Sequence, residues 1–492
     1  MHLRQLVRGG VSNLFGWAAT FAASFLSWAI LARHLGVTSL GQYGYALWLS
    51  NTFSALATLG LPFAAERNIG SALGRGDLRG ALIFSQKLLK LQLLIASGVA
   101  LAAILVQVLV SPLSDRIVIL LVAGTAIPSS IQIALRSIFS GFHRFGMANL
   151  VAAAAALFQL ALIVGATQLH GGIELMLLAN LLASLGATFF FFRQLWRIEK
   201  EIGVAKTVEE EPGGAEAGWR FSLTFSYVAL LEYILWDRSE VFFLQRFSTY
   251  GQIAFYTIAF AAAAKLIAVA QSFADTMLPI AASSFGRSST SGLGKMYVDA
   301  NRLMLVALVP LSWAGALLAR PIVTLVYGAQ FGSAVVPLQV LLAGAPVASL
   351  SAVGWAVIAA GKQETFLARG MTAGAVLSIV ADYFFIRRYG AIGAACATTC
   401  AQIFIAVLFL WYATGVARTQ FPWSTLFRSY AASALVFAPG FWLHSNLRWL
   451  SIATCLGCCA YPIVMLLMKE YRSADLRKVA GFVTSRIDQT PT

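Results

Sequence analysis

Fourteen apolar stretches follow one another along this 492-residue chain, and that series decides what it can fold into. They run approximately over 11–32, 41–62, 82–110, 117–138, 147–168, 173–192, 221–244, 252–283, 300–319, 333–360, 365–386, 391–413, 426–443 and 449–468. About 20 such residues cross the hydrocarbon layer as one helix. The longest runs predict a tilted helix or an interfacial turn at one end. Residues are 59% hydrophobic and 11% charged, whereas soluble domains carry roughly 25% charge. The expected class is an all-α polytopic membrane protein of about 14 transmembrane helices.

The apolar series is also written twice. Thr38-Ser39-Leu40-Gly41-Gln42-Tyr43 returns as Ser248-Thr249-Tyr250-Gly251-Gln252-Ile253, and Gly74-Arg75 as Gly286-Arg287. Ser140-Gly141-Phe142 answers to Ala360-Gly361-Lys362, and the helix pair begun at His170-Gly171-Gly172 to the pair begun at Tyr389-Gly390-Ala391. The matches keep their order while the offset grows slowly. Duplicated helical bundles are the build of transporters, with a site at the repeat interface opened alternately to either side. The expected domains are a six-helix lobe at 1–196, a polar cytoplasmic linker at 197–218 containing Glu209-Glu210-Glu211-Pro212, and a second six-helix lobe at 219–413. An even helix count enters both lobes in the same orientation, so a pseudo-twofold axis along the membrane normal is expected. Residues 414–492, an extra helix pair and a basic tail, have no counterpart in the first half. Docking on the outside of the second lobe and forming an extra groove both stay open for that pair.

A net charge of +15 raises the question of nucleic acid, and the placement of the charges answers it. Of the 35 lysines and arginines, 26 fall on the side that carries the amino terminus and seven on the other, with Arg238 and Lys265 inside spans. That bias follows the positive-inside rule with both termini cytoplasmic. The basic surplus is topology, and no nucleic-acid partner is expected. The run Val11 to Ala32 reads as an uncleaved signal anchor. Cys455, Cys458 and Cys459 share the last helix, yet no His, Asp or Glu there completes a metal site, so they read as packing residues. No phosphate-binding Gly-rich loop, HExxH or catalytic triad can be assembled. No enzyme activity, cofactor or metal is expected, and energy comes from an ion gradient, the membrane potential or substrate flux.

Charged side chains inside spans are costly and default to functional candidates. The seventh helix holds Glu232, Asp237, Arg238 and Glu240, and the eighth holds Lys265 and Asp275, whereas the opening helix pair buries no charge. Asp382 in the eleventh helix is a candidate for a coupling proton or sodium ion, against pairing with Arg387 or Arg388, or exposure at the interface. Asn51, Gln132, Gln159 and Asn180 are candidates to line a sugar path, against ordinary interhelical hydrogen bonding. Arg136 reads as an interfacial anchor, Glu66-Arg67 as solvated loop, Arg33 as a snorkelling cation. Trp48, Trp196, Trp219 and Trp449 read as interfacial belt.

Several segments together carry a family resemblance. They are Pro321-Ile322-Val323-Thr324-Leu325-Val326-Tyr327-Gly328-Ala329-Gln330-Phe331, Asp237-Arg238 leading to Gly251-Gln252, Gly60-Leu61-Pro62 and Ala360-Gly361-Lys362. In this order they resemble the polysaccharide transporter family, the Wzx-type lipid-linked oligosaccharide flippases, within the multidrug/oligosaccharidyl-lipid/polysaccharide exporter superfamily. The resemblance implies passage of an isoprenoid-diphosphate-linked oligosaccharide from the cytoplasmic to the outer leaflet by alternating access. The product would be O-antigen, capsule or exopolysaccharide, and the location the bacterial cytoplasmic (inner) membrane. Beside substrate and bilayer, a polysaccharide polymerase and glycosyltransferases are the partners such a role would bring. The resemblance also places the first, second, seventh and eighth helices at the lobe interface. Arg238 and Lys265 then become candidates to face the diphosphate, with Asp237, Glu240 and Asp275 as counter-ions or proton carriers. Ion pairing that only holds the second lobe together stays open beside this. The alternatives are a flippase for the peptidoglycan lipid precursor, also of fourteen helices, and a cation-coupled drug exporter of twelve. A membrane glycosyltransferase or polymerase is disfavoured because every outward loop is short.

Overall fold

The computed structural model describes residues 2–58, 60–74, 76–110, 116–142, 144–202, 227, 231, 233, 239–286, 290–361, 363–443 and 447–468. The described residues are almost entirely helical. In chain order the helices are α1 (His2–Thr58), α2 (Leu61–Gly74), α3 (Leu78–Val110), α4 (Arg116–Gly141), α5 (Phe145–Gln168), α6 (Ile173–Ile202), α7 (Glu240–Phe247), α8 (Tyr250–Gly286) and α9 (Thr290–Leu317). Then come α10 (Ala319–Val326), a 3-10 turn (Ala329–Ala334), α11 (Val335–Ala360), α12 (Glu364–Ala417), α13 (Trp423–Phe437), a second 3-10 turn (Ala438–Leu443) and α14 (Leu447–Leu467).

Ten stretches among the described residues are long and apolar enough to cross a membrane. Two of them, Ala19–Thr58 and Thr365–Ala417, are each far longer than the ~30 Å hydrocarbon layer needs at 1.5 Å per residue. Both fold back on themselves. The rings of Trp28 and Tyr43 lie 6.0 Å apart, whereas fifteen residues of straight helix would separate them by roughly 22 Å. In α12 a Cβ on Gly393 would run into the carbonyl of Phe385, with Ile386 N at 2.9 Å, which again requires reversal. The reversals occur at Gly36 (φ 73°, ψ −178°) and Gly390 (φ 55°, ψ −128°), backbone regions that glycine enters without steric cost. The ten stretches therefore make twelve crossings, as the sequence pattern expects for those segments. Of the other two expected crossings, 221–244 lies largely outside the described residues. The other is α13 with its 3-10 extension, about 34 Å long at the two helical rises.

The chain divides into two compact units, Met1–Ala254 and Phe255–Thr492. In the first, α4 forms the centre of a core with α2, α3 and α6. Ile69, Leu135, Ile138, Phe139 and Phe191 are fully buried there, and the Phe139 and Phe191 rings lie 5.7 Å apart. A Cβ on Gly141 would come within 2.8 Å of Ile69, so a glycine lets α2 lie directly on the end of α4. Glu66 and Arg67 are thus helical residues of α2 rather than loop, with Glu66 exposed as the sequence reading expects. The hydrophobic Gly60-Leu61-Pro62 turn starts a new helix, and its amphipathic continuation carries them.

In the second unit α11 is apolar on every side and buried along most of its length, as a helix without a polar face must be. It packs against the second segment of α12, where Gly354 admits the Phe409 backbone at 3.0 Å. The C-terminal pair packs on α9: Ala314 and Leu317 join Phe437 and Leu450 in one cluster, and Val306 joins Ala432, Tyr461 and Met465 in another. The pair therefore docks on its own lobe, one of the two arrangements left open by the sequence.

Candidate functional site

The duplicated Gly-Gln motif acquires a physical meaning in the first unit. Gly41 is buried, and a Cβ there would fall on the carbonyl of Tyr250, with Tyr250 Cα at 3.1 Å. A Cβ on Gly251 would meet Val37 Cγ1 at 3.1 Å. The start of α8 and the second segment of α1 thus cross at the glycine that each copy of the motif supplies. An Ala pair would hold the two backbones apart.

An aromatic group lies beside this crossing. Tyr45 stacks on Trp48 at 5.8 Å and meets Tyr250 edge-on at 6.2 Å, and Thr52 Oγ1 lies 2.6 Å from the Tyr233 hydroxyl. Trp48, expected in the interfacial belt, is instead 7% exposed and packed on Tyr45. Trp196 does fit the belt, half exposed with Lys200 Nζ 3.6 Å over its ring. Sequence reading missed Tyr45, Thr52, Tyr233 and Tyr250. The signal was present for part of it, since 45, 48 and 52 share one helical face. Asn51, on the adjoining face, is exposed.

The candidate charges distribute as follows. Asp237 and Arg238, with Glu232, lie outside the described residues. Glu240 opens α7 and is 1% exposed, at a helix start where a carboxylate is favoured by the backbone dipoles. In the second unit, Lys265 sits midway along α8 and is exposed. Asp275 follows on the same helix, its side chain outside the described set. Tyr256, two turns before Lys265, is fully buried, its hydroxyl 2.8 Å from Thr398 Oγ1 of α12. Asp382 is 0% exposed in the first segment of α12, which corrects the reading of exposure at the interface. Arg387 and Arg388 are both exposed; the first reaches Tyr383 Oη at 3.5 Å and the second lies 5.6 Å over the Tyr389 ring.

The amide candidates hold helices together in the first unit. Gln159 Nε2 donates to Asn180 Oδ1 at 2.9 Å, so two of the four bond each other across α5 and α6. Gln132 donates to Ser184 O at 2.9 Å, Ser184 Oγ at 3.0 Å and Thr188 Oγ1 at 3.2 Å. Thr188 in turn donates to the carbonyl of Pro128 at 3.3 Å. This network sits where Pro128 interrupts the backbone ladder of α4. Among the described residues no group of three metal-ligating side chains comes together.

Comparison with known proteins agrees with this architecture. Residues 6–284 match the family model described as polysaccharide biosynthesis protein. The probable low-salt glycan biosynthesis flippase Agl15 of Haloferax volcanii is 21% identical over 98% of this chain and 99% of its own. Among solved structures, the lipid II flippase MurJ in an inward closed conformation superposes with a TM-score of 0.68. It is 15% identical, covering 94% of this chain and 99% of its own. An inward-facing multidrug resistance MATE family transporter of the MOP superfamily gives 0.64 at 14% identity, covering 81% and 95%. The chain has the transporter fold of that superfamily, and it belongs to the polysaccharide biosynthesis protein family.

Proposed function

We propose that this protein is a flippase that carries an isoprenoid-diphosphate-linked oligosaccharide from the cytoplasmic to the outer leaflet of the cytoplasmic membrane, by alternating access, for surface polysaccharide assembly. The observation that carries the reading is the end-to-end match, at 98% and 99% coverage, to a relative named a glycan biosynthesis flippase. The family match over more than half of the chain supports it. The task is physically consistent with the frame. A diphosphate and a hydrated glycan need polar lining, while the lipid tail stays in the hydrocarbon. Lys265 is exposed in the middle of a spanning helix. A lysine facing lipid there would cost about 2.5–3.5 kcal/mol, so its exposure fits a water-filled path. In the proposal Lys265 and Arg238 face the diphosphate, and Asp237, Glu240, Asp275 and Asp382 supply counter-charge or carry the coupling ion.

A second reading, flipping of the peptidoglycan lipid precursor, is favoured by one observation: the match to the lipid II flippase extends over 99% of that chain. The drug exporter fold covers less of this chain, 81%, which leaves part of the protein unexplained. Deletion of the gene separates these readings. The proposal expects an isoprenoid-diphosphate glycan to accumulate facing the cytoplasm, with surface polysaccharide lost and the cell wall intact. Normal surface polysaccharide in the deletion strain would overturn it. Lys265→Glu with retained expression should abolish transport; full transport would return Lys265 to a purely structural role.

A further inference from the structure

One cavity in the first unit lies apart from every residue discussed above as a transport candidate. It is a half-open pocket of about 250 Å³ between α2, α4 and α5, lined by Glu66, Arg136, Ser137, Ser140, Ala148 and Asn149, of which Glu66 and Arg136 are exposed. Three features define its chemistry. Arg136 contributes its guanidinium, and among the described residues no hydrogen bond or ion pair is made by that group. Glu66 lines the same cavity but accepts a hydrogen bond from Ser140. Ser137 and Asn149 complete a wall of neutral groups able to donate.

We propose that this cavity is a phosphate-binding pocket, for the headgroup of an anionic phospholipid or for a free phosphate or diphosphate. A planar guanidinium with open donors matches a tetrahedral phosphate in bidentate fashion, and the Ser137 hydroxyl and the Asn149 amide face the same pocket. The volume suits one phosphate group, being below the ~300 Å³ at which sites for drug-sized molecules begin. Glu66 is the one feature that opposes an anion. Partial burial holds its carboxyl above the ordinary carboxylate range, with the Ser140 hydrogen bond working the other way. It therefore keeps a proton to higher pH than a free glutamate does, which lessens its opposition to an anion. Arg136 and Arg144 both belong to the end of the unit that the charge bias assigns to the cytoplasm, so the pocket would open toward the inner leaflet, where anionic headgroups lie. Arg136 is then a ligand-binding group rather than only an interfacial anchor.

The test uses the full chain in nanodiscs with no lipid-linked oligosaccharide present, so that the outcome is independent of the flippase reading. Discs of phosphatidylcholine alone are compared with discs containing phosphatidylglycerol, and with phosphatidylcholine discs given inorganic diphosphate. Lipid or diphosphate retained in native mass spectrometry and the melting temperature are the readouts. The wild-type chain is expected to retain one of the probes and to melt higher with it. Arg136→Gln should weaken that binding tenfold or more, as loss of a charge-assisted pair predicts. Arg320→Gln, which alters an exposed cation away from the cavity, should not. Retention of phosphatidylglycerol identifies a lipid source and retention of diphosphate alone a soluble one. Should Arg136→Gln not fold, Ser137→Ala combined with Asn149→Ala must show the same weakening. Equal binding in wild type and in the folded pocket variant, or no binding of either probe to wild type, overturns the proposal.

Discussion

Replacing Gly41 by alanine tests whether the duplicated motif works as a helix crossing. The new methyl would be placed on the Tyr250 carbonyl, with Tyr250 Cα only 3.1 Å away. These are backbone atoms, so no rotamer change relieves the contact and α8 must move as a body. Forced overpacking of this kind costs about 1–3 kcal/mol, or about 5- to 150-fold in an equilibrium between packed and separated crossings. Gly251→Ala is the matched control. Its methyl would meet Val37 Cγ1 at 3.1 Å and Thr249 Oγ1 at 3.8 Å, both side-chain atoms that can yield by a few tenths of an ångström. Hydrogen exchange of the segment 248–254, read by mass spectrometry, should accelerate at least fivefold in Gly41→Ala and change little in Gly251→Ala. Transport should fall with it in the first variant alone, because a crossing held open shifts the balance of access states. If the two variants exchange at equal rates, the close backbone approach does not govern this crossing and the reasoning fails.

Three further outcomes are expected. Glu66 has a raised folded-state pKa, so in a window above the usual carboxylate value of about 4.3 the folded chain holds a proton that the unfolded chain has lost. The stability tied to that proton is present at low pH and disappears as pH rises through the folded value; Glu66→Gln should therefore flatten the fall of melting temperature with pH across that window, and an unchanged slope would discount the shift. Gln159→Leu and Asn180→Leu should each lower stability, with a coupling of about 0.6 kcal/mol in the double-mutant cycle, typical of interhelical bonds in membranes; loss of transport with no change in stability would instead favour a sugar-lining role. His170 has φ 52° without being glycine, so His170→Gly should raise stability by a few tenths of a kcal/mol up to about 1 kcal/mol, and a lower melting temperature would show that its side chain matters more than its backbone.

What could be read from sequence followed the strength of the physical constraint. Span positions were legible because lipid forbids unsatisfied backbone: Gly36 and Gly390 turn where the apolar runs break, and Leu78–Val110 and Val335–Ala360 sit within a few residues of the predicted limits. Contacts between helices were not legible, because any small or polar residue on a helix has several possible neighbours. Interhelical bonding is the usual role of residues such as Gln159 and Asn180, but that they bond each other at 2.9 Å is not written in the sequence. Asp382 gave no sign of complete burial, since its exposed neighbours Tyr383 and Phe384 make the segment look interfacial. Trp48 misled for a similar reason: indoles are common at membrane interfaces, and only the Tyr45 ring beside it shows that this one is packed.

The two copies of the repeat keep backbone geometry more faithfully than chemistry, and this separates frame from site. Both copies place a positive φ at the start of the later helix pair: His170 at 52° where His170-Gly171-Gly172 opens it, and Gly390 at 55° where Tyr389-Gly390-Ala391 does. Each copy thus enters its helix pair through a residue of positive φ, a histidine in one and a glycine in the other. His34 Nε2 donates to Gly171 O at 3.0 Å, a bond that secures the first copy's turn to the end of the first span. The opening motif behaves alike: both copies keep the glycine that lets backbones meet, yet only the second leads into a helix with a lysine and an acid, Lys265 and Asp275. Intramembrane charge is costly, and its confinement to one copy is what motivates the substrate role proposed above for that copy. Divergence concentrated in charge fits the proposal that one lobe supplies the substrate's counter-charges while both supply the motion.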